Sequence, residues 1–368
     1  MISESWAPYY GMILTGFYTI LAIGNYFKYE PMNANRVLRG NNTSQPSLIF
    51  LVALLVLFFG LRPIVLAFGD MLAYAYLLKH VDTSGAIGDD WLFYRLMNLF
   101  SHYDPTVYFL FIAACYIGFS YIGLLNLFQN NSAAAFVLLI SSFSFNTYGL
   151  NGIRAGFAAS IFLMGLCFLV SDRTKRGKFT ALWICFLACL FHKSMALPLV
   201  CMAGAYYIRD FRVAIRFWFF SIILYLIAGN AIGSMFASLG FDDRLNTYIE
   251  ATEAYAARGL KTGFRPDFLI YSFMPLLLGY YVQIKHGVQD KTYHFILNTY
   301  IFANSFWCML MGVSYSNRFA YLSWFMYPLV LAYPCLKLNV WGNRQGNMAA
   351  NVILINALFT FFMVFVYY

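Results

Sequence analysis

Along the chain, apolar runs of about 15 to 23 residues alternate with short polar breaks. Read this way, the pattern predicts helices near 7–27, 47–68, 106–128, 132–149, 152–170, 179–193, 194–208, 212–233, 267–285, 292–313, 318–336 and 347–367. Most approach the roughly 20 residues that a helix needs to cross hydrocarbon. Helices suit that environment because each satisfies its own backbone N–H and C=O groups, which water cannot reach there. The pair at 179–208, broken at "FHKSMALPL", is thinner: limbs of about 15 residues span near 22 Å at 1.5 Å per residue. Both a tight hairpin of short helices and a re-entrant element lining a cavity fit it.

Two longer polar segments, about 69–105 and 234–266, interrupt the alternation. In the first, "GDMLAYAYLLKHV" and "DDWLFYRLMNLFSHY" mix aromatic and charged residues as interfacial amphipathic helices do. The second, "RLNTYIEATEAYAARGLKTGFRPDF", predicts a helix from Leu245 to Ala257 stopped by Gly259. With no repeat and no low-complexity linker, residues 1–368 read as one integral membrane domain, an all-α polytopic transmembrane bundle whose outer loops carry short amphipathic helices.

Composition narrows this further. Of 368 residues, 61% are hydrophobic and only 11% charged, less than half the usual share of a soluble domain. The net charge of +9 reads as cytoplasmic loops rich in Lys and Arg and not as nucleic-acid binding. Placing the N-terminus outside puts Lys28, Arg36, Arg39, the Arg173–Lys178 cluster, Arg209, Arg212, Arg216, Lys285, Lys291, Lys337 and Arg344 on one side, in short loops, which makes that side cytoplasmic. No basic region precedes the first apolar run, so the first helix is expected to be retained. The seven cysteines all lie in apolar segments, as reduced core residues do. No histidine or carboxylate closely flanks the Cys185–Cys189 pair, and no metal site is expected.

Four basic residues are harder to place. Arg62, Arg154, Lys193 and Arg318 sit in, or abut, apolar helices at the ends assigned to the outer face. An arginine at the bilayer centre costs about 2.5–3.5 kcal/mol on insertion scales, and less near an interface. Each alone is accounted for by snorkelling to headgroups or by a carboxylate partner such as Asp70. Four on one side favour an anion site. The residues around them fall into outward-facing clusters: "LRPIVLAFGD" (Arg62, Asp70), "NTYGLNGIR" (Asn146, Tyr148, Asn151, Arg154), "FHKS" (His192, Lys193, Ser194) and "SYSNRFAYLSWF" (Tyr315, Asn317, Arg318). Guanidiniums that converge at one membrane face suit a lipid-linked diphosphate, because the planar fork binds phosphate oxygens bidentately and stays charged. A histidine or aspartate beside them can take a proton, although each alone also reads as structural: His192 as a satisfied polar residue at a helix break, Asp70 as a cap or salt-bridge partner. Tyr74, Trp91, Tyr94, Tyr248 and Tyr255 read equally well as sugar-stacking platforms and as interfacial aromatics.

No P-loop, nucleotide fingerprint or G-x-S-x-G elbow occurs. Asp89-Asp90 and Asp242-Asp243 are adjacent pairs and not the D-x-D that holds a nucleotide sugar through a metal, so a transferase here would take a lipid-linked donor. Taken in order, "R-P-x6-D", "N-x-I-R-A-x-F-A-x-S-I-F", "F-H-K-S-M-A-L-P-L" and "N-R-F-A-Y-L" resemble the EpsG/Wzy-like family of bacterial polysaccharide polymerases, from about residue 60 to 335. Asn151, Ile153, Arg154, Ala158, His192, Ser194, Asp70 and Arg318 match that pattern. Ala155 and Phe157 depart from it, standing where the family usually has glutamine and leucine.

The resemblance implies a GT-C-like bundle of about 12 transmembrane helices in the bacterial inner membrane, with its active site facing the periplasm. It implies transfer of a growing glycan from undecaprenyl diphosphate to a sugar hydroxyl of a new lipid-linked repeat unit, without metal or cofactor and with inversion. Arg154, Arg318 and Arg62 would hold the diphosphate, and His192 or Asp70 would be the base. Asn151, Lys193, Ser194 and Tyr148 would support them. A flippase and a chain-length regulator are the expected partners in the same membrane. A glycan ligase, or a flippase for the same lipid-linked sugar, is the alternative. Against a flippase stand the missing inverted repeat and charges clustered away from the midplane.

Overall fold

The computed structural model describes residues 9–40, 45–80, 90–238 and 263–367. Their regular secondary structure is all helical, with no strand among the described residues. Helices long and apolar enough to cross a membrane occupy Pro105–Ile140, Ile153–Ser171, Phe211–Gly229, Pro266–Lys285, Asn317–Lys337 and Gly342–Val366. The chain divides into two compact units, one formed by Met1–Lys193 with Ala332–Tyr368, the other by Ser194–Leu331.

In the first unit the helices are α1 (Tyr10–Tyr29), α2 (Ala34–Arg39), α3 (Gln45–Gly60), α4 (Met71–Lys79), α5 (Trp91–Leu99), α6 (Pro105–Phe128), α7 (Ser132–Ile140), α8 (Phe143–Leu150), α9 (Ile153–Ser171) and α10 (Lys175–Phe191). The second unit contains α11 (Ala196–Tyr207), α12 (Phe211–Ser238), α13 (Pro266–Tyr280), α14 (Lys291–Met309) and α15 (Asn317–Trp324). The chain returns to the first unit within α16 (Tyr327–Lys337) and ends with α17 (Gln345–Tyr367).

Several predicted helices are shorter than their apolar runs, for local reasons. The run at 47–68 stops at Gly60 because Pro63 disfavours helical geometry at the residue before it. The run at 132–149 breaks at Ser141 and Ser142, whose hydroxyls donate back to Leu138 O (3.3 Å) and Leu139 O (2.7 Å). Ser142 is extended (φ −83°, ψ 145°), which separates α7 from α8. Asn356 of α17 donates to Leu138 O and to Ser141 Oγ, so the break stays satisfied inside the protein. The run at 318–336 divides between Trp324 and Tyr327 because Pro328 has no N–H to give to Trp324 O. The expected amphipathic helices of the first polar segment are present as α4 and α5, whereas Leu245–Ala257 lies outside the described residues.

In the first unit α9 packs between α6 and α10, α3 lies against α6, and α1 lies along α17. The α9–α10 seam depends on a missing side chain. A Cβ on Gly165 would lie 2.7 Å from Cys185 Sγ and 3.0 Å from Cys185 N. Small residues that let helix backbones approach are a common means of association in a bilayer, where no hydrophobic drive holds helices together. Gly165→Ala is therefore expected to destabilise the protein by about 1–3 kcal/mol by overpacking, seen as a lower thermal midpoint in detergent.

The second unit is pinned by a buried polar cluster. Trp218 Nε1 donates to Asn304 Oδ1 (2.7 Å), Asn304 Nδ2 donates to Ser323 Oγ (2.9 Å) and Ser272 Oγ (3.1 Å), and Trp324 Nε1 donates to Ser272 Oγ (2.8 Å). Such a cluster fixes the relative positions of α12, α13, α14 and α15, because shifting any one of them strands a buried donor.

Candidate functional site

The site in the first unit is assembled by α5. Phe93 and Met97, one turn apart, are both fully buried, while Trp91 and Leu99 are exposed. The buried face rests on the ends of α9 and α10 through rings: Phe93 on Phe157 (6.4 Å) and Phe157 on Phe191 (4.8 Å). This brings Asp90, the residue just before α5, to the start of α9 and the end of α10. Its main-chain carbonyl accepts from Phe93 and Tyr94, but its side chain makes no cap to its own helix.

That carboxylate is shared by two other elements instead. Asp90 Oδ2 lies 2.9 Å from Arg154 Nη1 and 3.0 Å from His192 Nδ1, and Asp90 Oδ1 accepts from the Lys193 N–H at 2.7 Å. Arg154 Nη1 also donates to the Tyr94 hydroxyl at 3.2 Å, with the guanidinium carbon 6.0 Å from the Tyr94 ring centre. His192 is placed by the end of α10, where the backbone turns extended (φ −153°, ψ 110°) after a last bond from its N–H to Ala188 O. The Asp90 side chain is 5% exposed, against 16% for Arg154 and 14% for His192. The carboxylate is thus the buried hinge, and the two partner groups are the ones solvent or a ligand reaches.

Burial alone would raise the Asp90 carboxyl. The hydrogen bond and charge of His192, the charge of Arg154 and the Lys193 N–H outweigh it and hold the group below the usual carboxylate range. A depressed folded value makes the stabilisation complete above the unfolded value near about 3.9 and lost as pH falls through the folded value. The difference in thermal midpoint between wild type and Asp90→Asn is therefore expected to shrink as pH falls below about 4.

The remaining sequence candidates are placed as follows. Arg62 is 4% exposed, and its terminal nitrogens donate to Phe59 O (2.6 Å) and Leu150 O (3.0 Å), the carbonyl ends of α3 and α8. Tyr148 lines a small cavity with Arg62, Phe59 and Tyr116. Asn151 follows α8, its side-chain oxygen packed against the turn at Gly69, where a Cβ would lie 2.7 Å from Oδ1. Gly69 takes a positive φ (56°) there, and Asp70 follows at the start of α4, half-buried and without a capping bond. Ser194 is buried in the short helical turn Lys193–Met195. Arg318 belongs to the second unit, where it is exposed and lies over the Tyr315 ring at 5.3 Å; Tyr315 itself has a positive φ (55°), uncommon for a side chain of this size.

The structure thus gathers Arg154, His192 and the Lys193 backbone around one carboxylate. Sequence reasoning named Asp70 as the acidic partner; the carboxylate that pairs with Arg154 is Asp90. The available signal was an acidic residue directly before an amphipathic helix, in a chain with only 15 Asp and Glu.

A chain whose described residues form only helices, six segments of them able to cross a bilayer, with a shared Arg–Asp–His cluster at the ends of two helices, is a membrane protein with a polar site at a helix junction. Its family is given by the sequence: the model of the EpsG family matches residues 47–368, and the chain belongs to that family, which places it in polysaccharide biosynthesis. No curated protein matches it, and no solved structure does.

Proposed function

We propose that the protein polymerises lipid-linked oligosaccharide repeat units at the periplasmic face of the bacterial inner membrane, within a GT-C-like bundle of about 12 transmembrane helices. It transfers the growing glycan from undecaprenyl diphosphate to a sugar hydroxyl of a new lipid-linked repeat unit. The observation that supports this reading most is the convergence of Arg154 and His192, an anion binder and a proton acceptor, on one buried carboxylate. Arg154 also occupies the first turn of α9, where the unpaired N–H groups and the helix dipole already favour negative charge. Asp90 balances one positive charge, and a diphosphate brings enough negative charge to use the rest.

In the proposed reaction His192 takes the proton of the acceptor hydroxyl as its oxygen attacks the anomeric carbon. The carbon–oxygen bond to the diphosphate breaks, its electron pair leaves with the phosphate, and Arg154 neutralises the charge. One base and one stabilised leaving group give inversion without a covalent intermediate and need neither metal nor cofactor. Asp70 is the second candidate base. Arg62, whose terminal nitrogens bind backbone carbonyls, supports the site by holding the ends of α3 and α8, as Tyr148, Asn151, Lys193 and Ser194 do through their own segments. A flippase supplies the substrate and a chain-length regulator acts on the product.

The test is reconstitution in lipid with the lipid-linked repeat unit alone, products being separated on a gel. A ladder of repeat lengths supports the polymerase. Repeat units that cross the bilayer without a ladder identify a flippase, and transfer only to a different acceptor glycan identifies a ligase.

A further inference from the structure

Asp90 occupies a helix-start position yet leaves its own helix uncapped, and both of its oxygens are engaged elsewhere. Oδ1 accepts from the Lys193 N–H (2.7 Å), the peptide directly after His192, and Oδ2 lies against His192 Nδ1 (3.0 Å). The carboxylate therefore grips His192 at its ring and at its following peptide, so the ring cannot turn away without breaking a bond to a 4% exposed acid. A carboxylate has only lone pairs to offer, so the nitrogen facing it must carry the hydrogen. Arg154 on the same oxygen (2.9 Å) prevents Asp90 from following the ring.

We infer that Asp90 is the positioning residue of the site: it holds His192 in the tautomer protonated at Nδ1, which leaves Nε2 as the nitrogen that takes the acceptor proton, and it ties that base to Arg154. The charged and titratable groups that face it are Arg154 from α9, itself bonded to the Tyr94 hydroxyl of α5, and His192 at the end of α10. During transfer the hydroxyl proton moves to Nε2, the new glycosidic bond forms from the oxygen's freed pair, and the bond to the diphosphate breaks with its pair on the phosphate oxygen. The imidazolium then has Asp90 as its counter-ion until it returns the proton to water. The arrangement also gives His192 precedence over Asp70, for which the described residues supply no orienting partner of this kind. The tautomer follows from geometry alone, whereas its use in transfer rests on the polymerase reading.

The experiment uses the full chain in lipid nanodiscs, labelled with nitrogen-15 at its five histidines, with His192→Gln to assign the signal. At about pH 8, above the ordinary imidazole range, wild type is expected to show a bare Nε2 and a protonated Nδ1 for His192. Asp90→Asn, whose amide can both donate and accept, is expected to populate the other tautomer, and Asp90→Glu to keep the wild-type one. A wild-type Nε2–H, or an unchanged spectrum in Asp90→Asn, overturns the inference. In the ladder assay Asp90→Asn is expected to lower kcat about 10²–10³-fold with a smaller change in KM. In a His192→Ala background the same change is expected to cost less than about twofold, because residues that act as a unit are not additive. Additive losses overturn the positioning role even if the tautomer is as expected. If wild type makes no ladder the polymerase reading fails, and the spectrum still decides the tautomer.

Discussion

Arg154→Ala is expected to slow repeat-unit transfer about 10²–10³-fold, the usual loss when one stabiliser of developing negative charge is removed. The readout is the gel ladder, which should collapse to unextended repeat units. Geometry separates this from unfolding: Asp90 keeps the His192 ring and the Lys193 N–H as partners, so the variant should elute as a monodisperse particle with a retained thermal transition. Arg154→Lys is the sharper test. Lysine keeps the charge but replaces a planar fork with a single ammonium on a flexible stem. Substantial loss is expected; full rate and full polymer length would show that bidentate phosphate binding is wrong.

The second large effect is at the base. His192→Ala is expected to lower the rate about 10²–10⁴-fold, the range that a positioned proton acceptor contributes, while binding of the lipid-linked repeat unit changes little because Arg154 remains on Asp90. Asp70→Asn is the matching control, since Asp70 is the other candidate base and is only half-buried. Its activity is expected to stay within about tenfold of wild type. A ranking in which Asp70→Asn is the more damaging change would transfer the base to Asp70.

The comparison between chain and structure is instructive at individual positions. Apolar periodicity located nearly every helix, because the demand that a bilayer-facing segment satisfy its own backbone is strong and long-ranged along the sequence. It overlooked the breaks at Ser142 and Pro328, which are decided by one hydroxyl and one missing N–H inside otherwise apolar runs. Arg154 and His192 were visible as polar residues at helix ends. Asp90 was dismissed as half of an acidic pair that failed a metal-binding pattern, because its importance comes from the Phe93, Phe157 and Phe191 rings that carry α5 onto α9 and α10. That contact joins residues about 60 to 100 positions apart, and no local pattern encodes it.

The α1–α17 seam sets the order in which the first unit can mature. Synthesis at 5–20 residues per second delivers α17 about 15–60 s after α1, since about 300 residues separate them. Through that interval the face of α1 that packs along α17 in the finished protein has lipid or an assembly factor for a neighbour. The second unit, contiguous in sequence, is under no such delay. A defect near the C-terminus would thus strand the N-terminal helix, and quality-control proteases would meet the protein at its oldest segment.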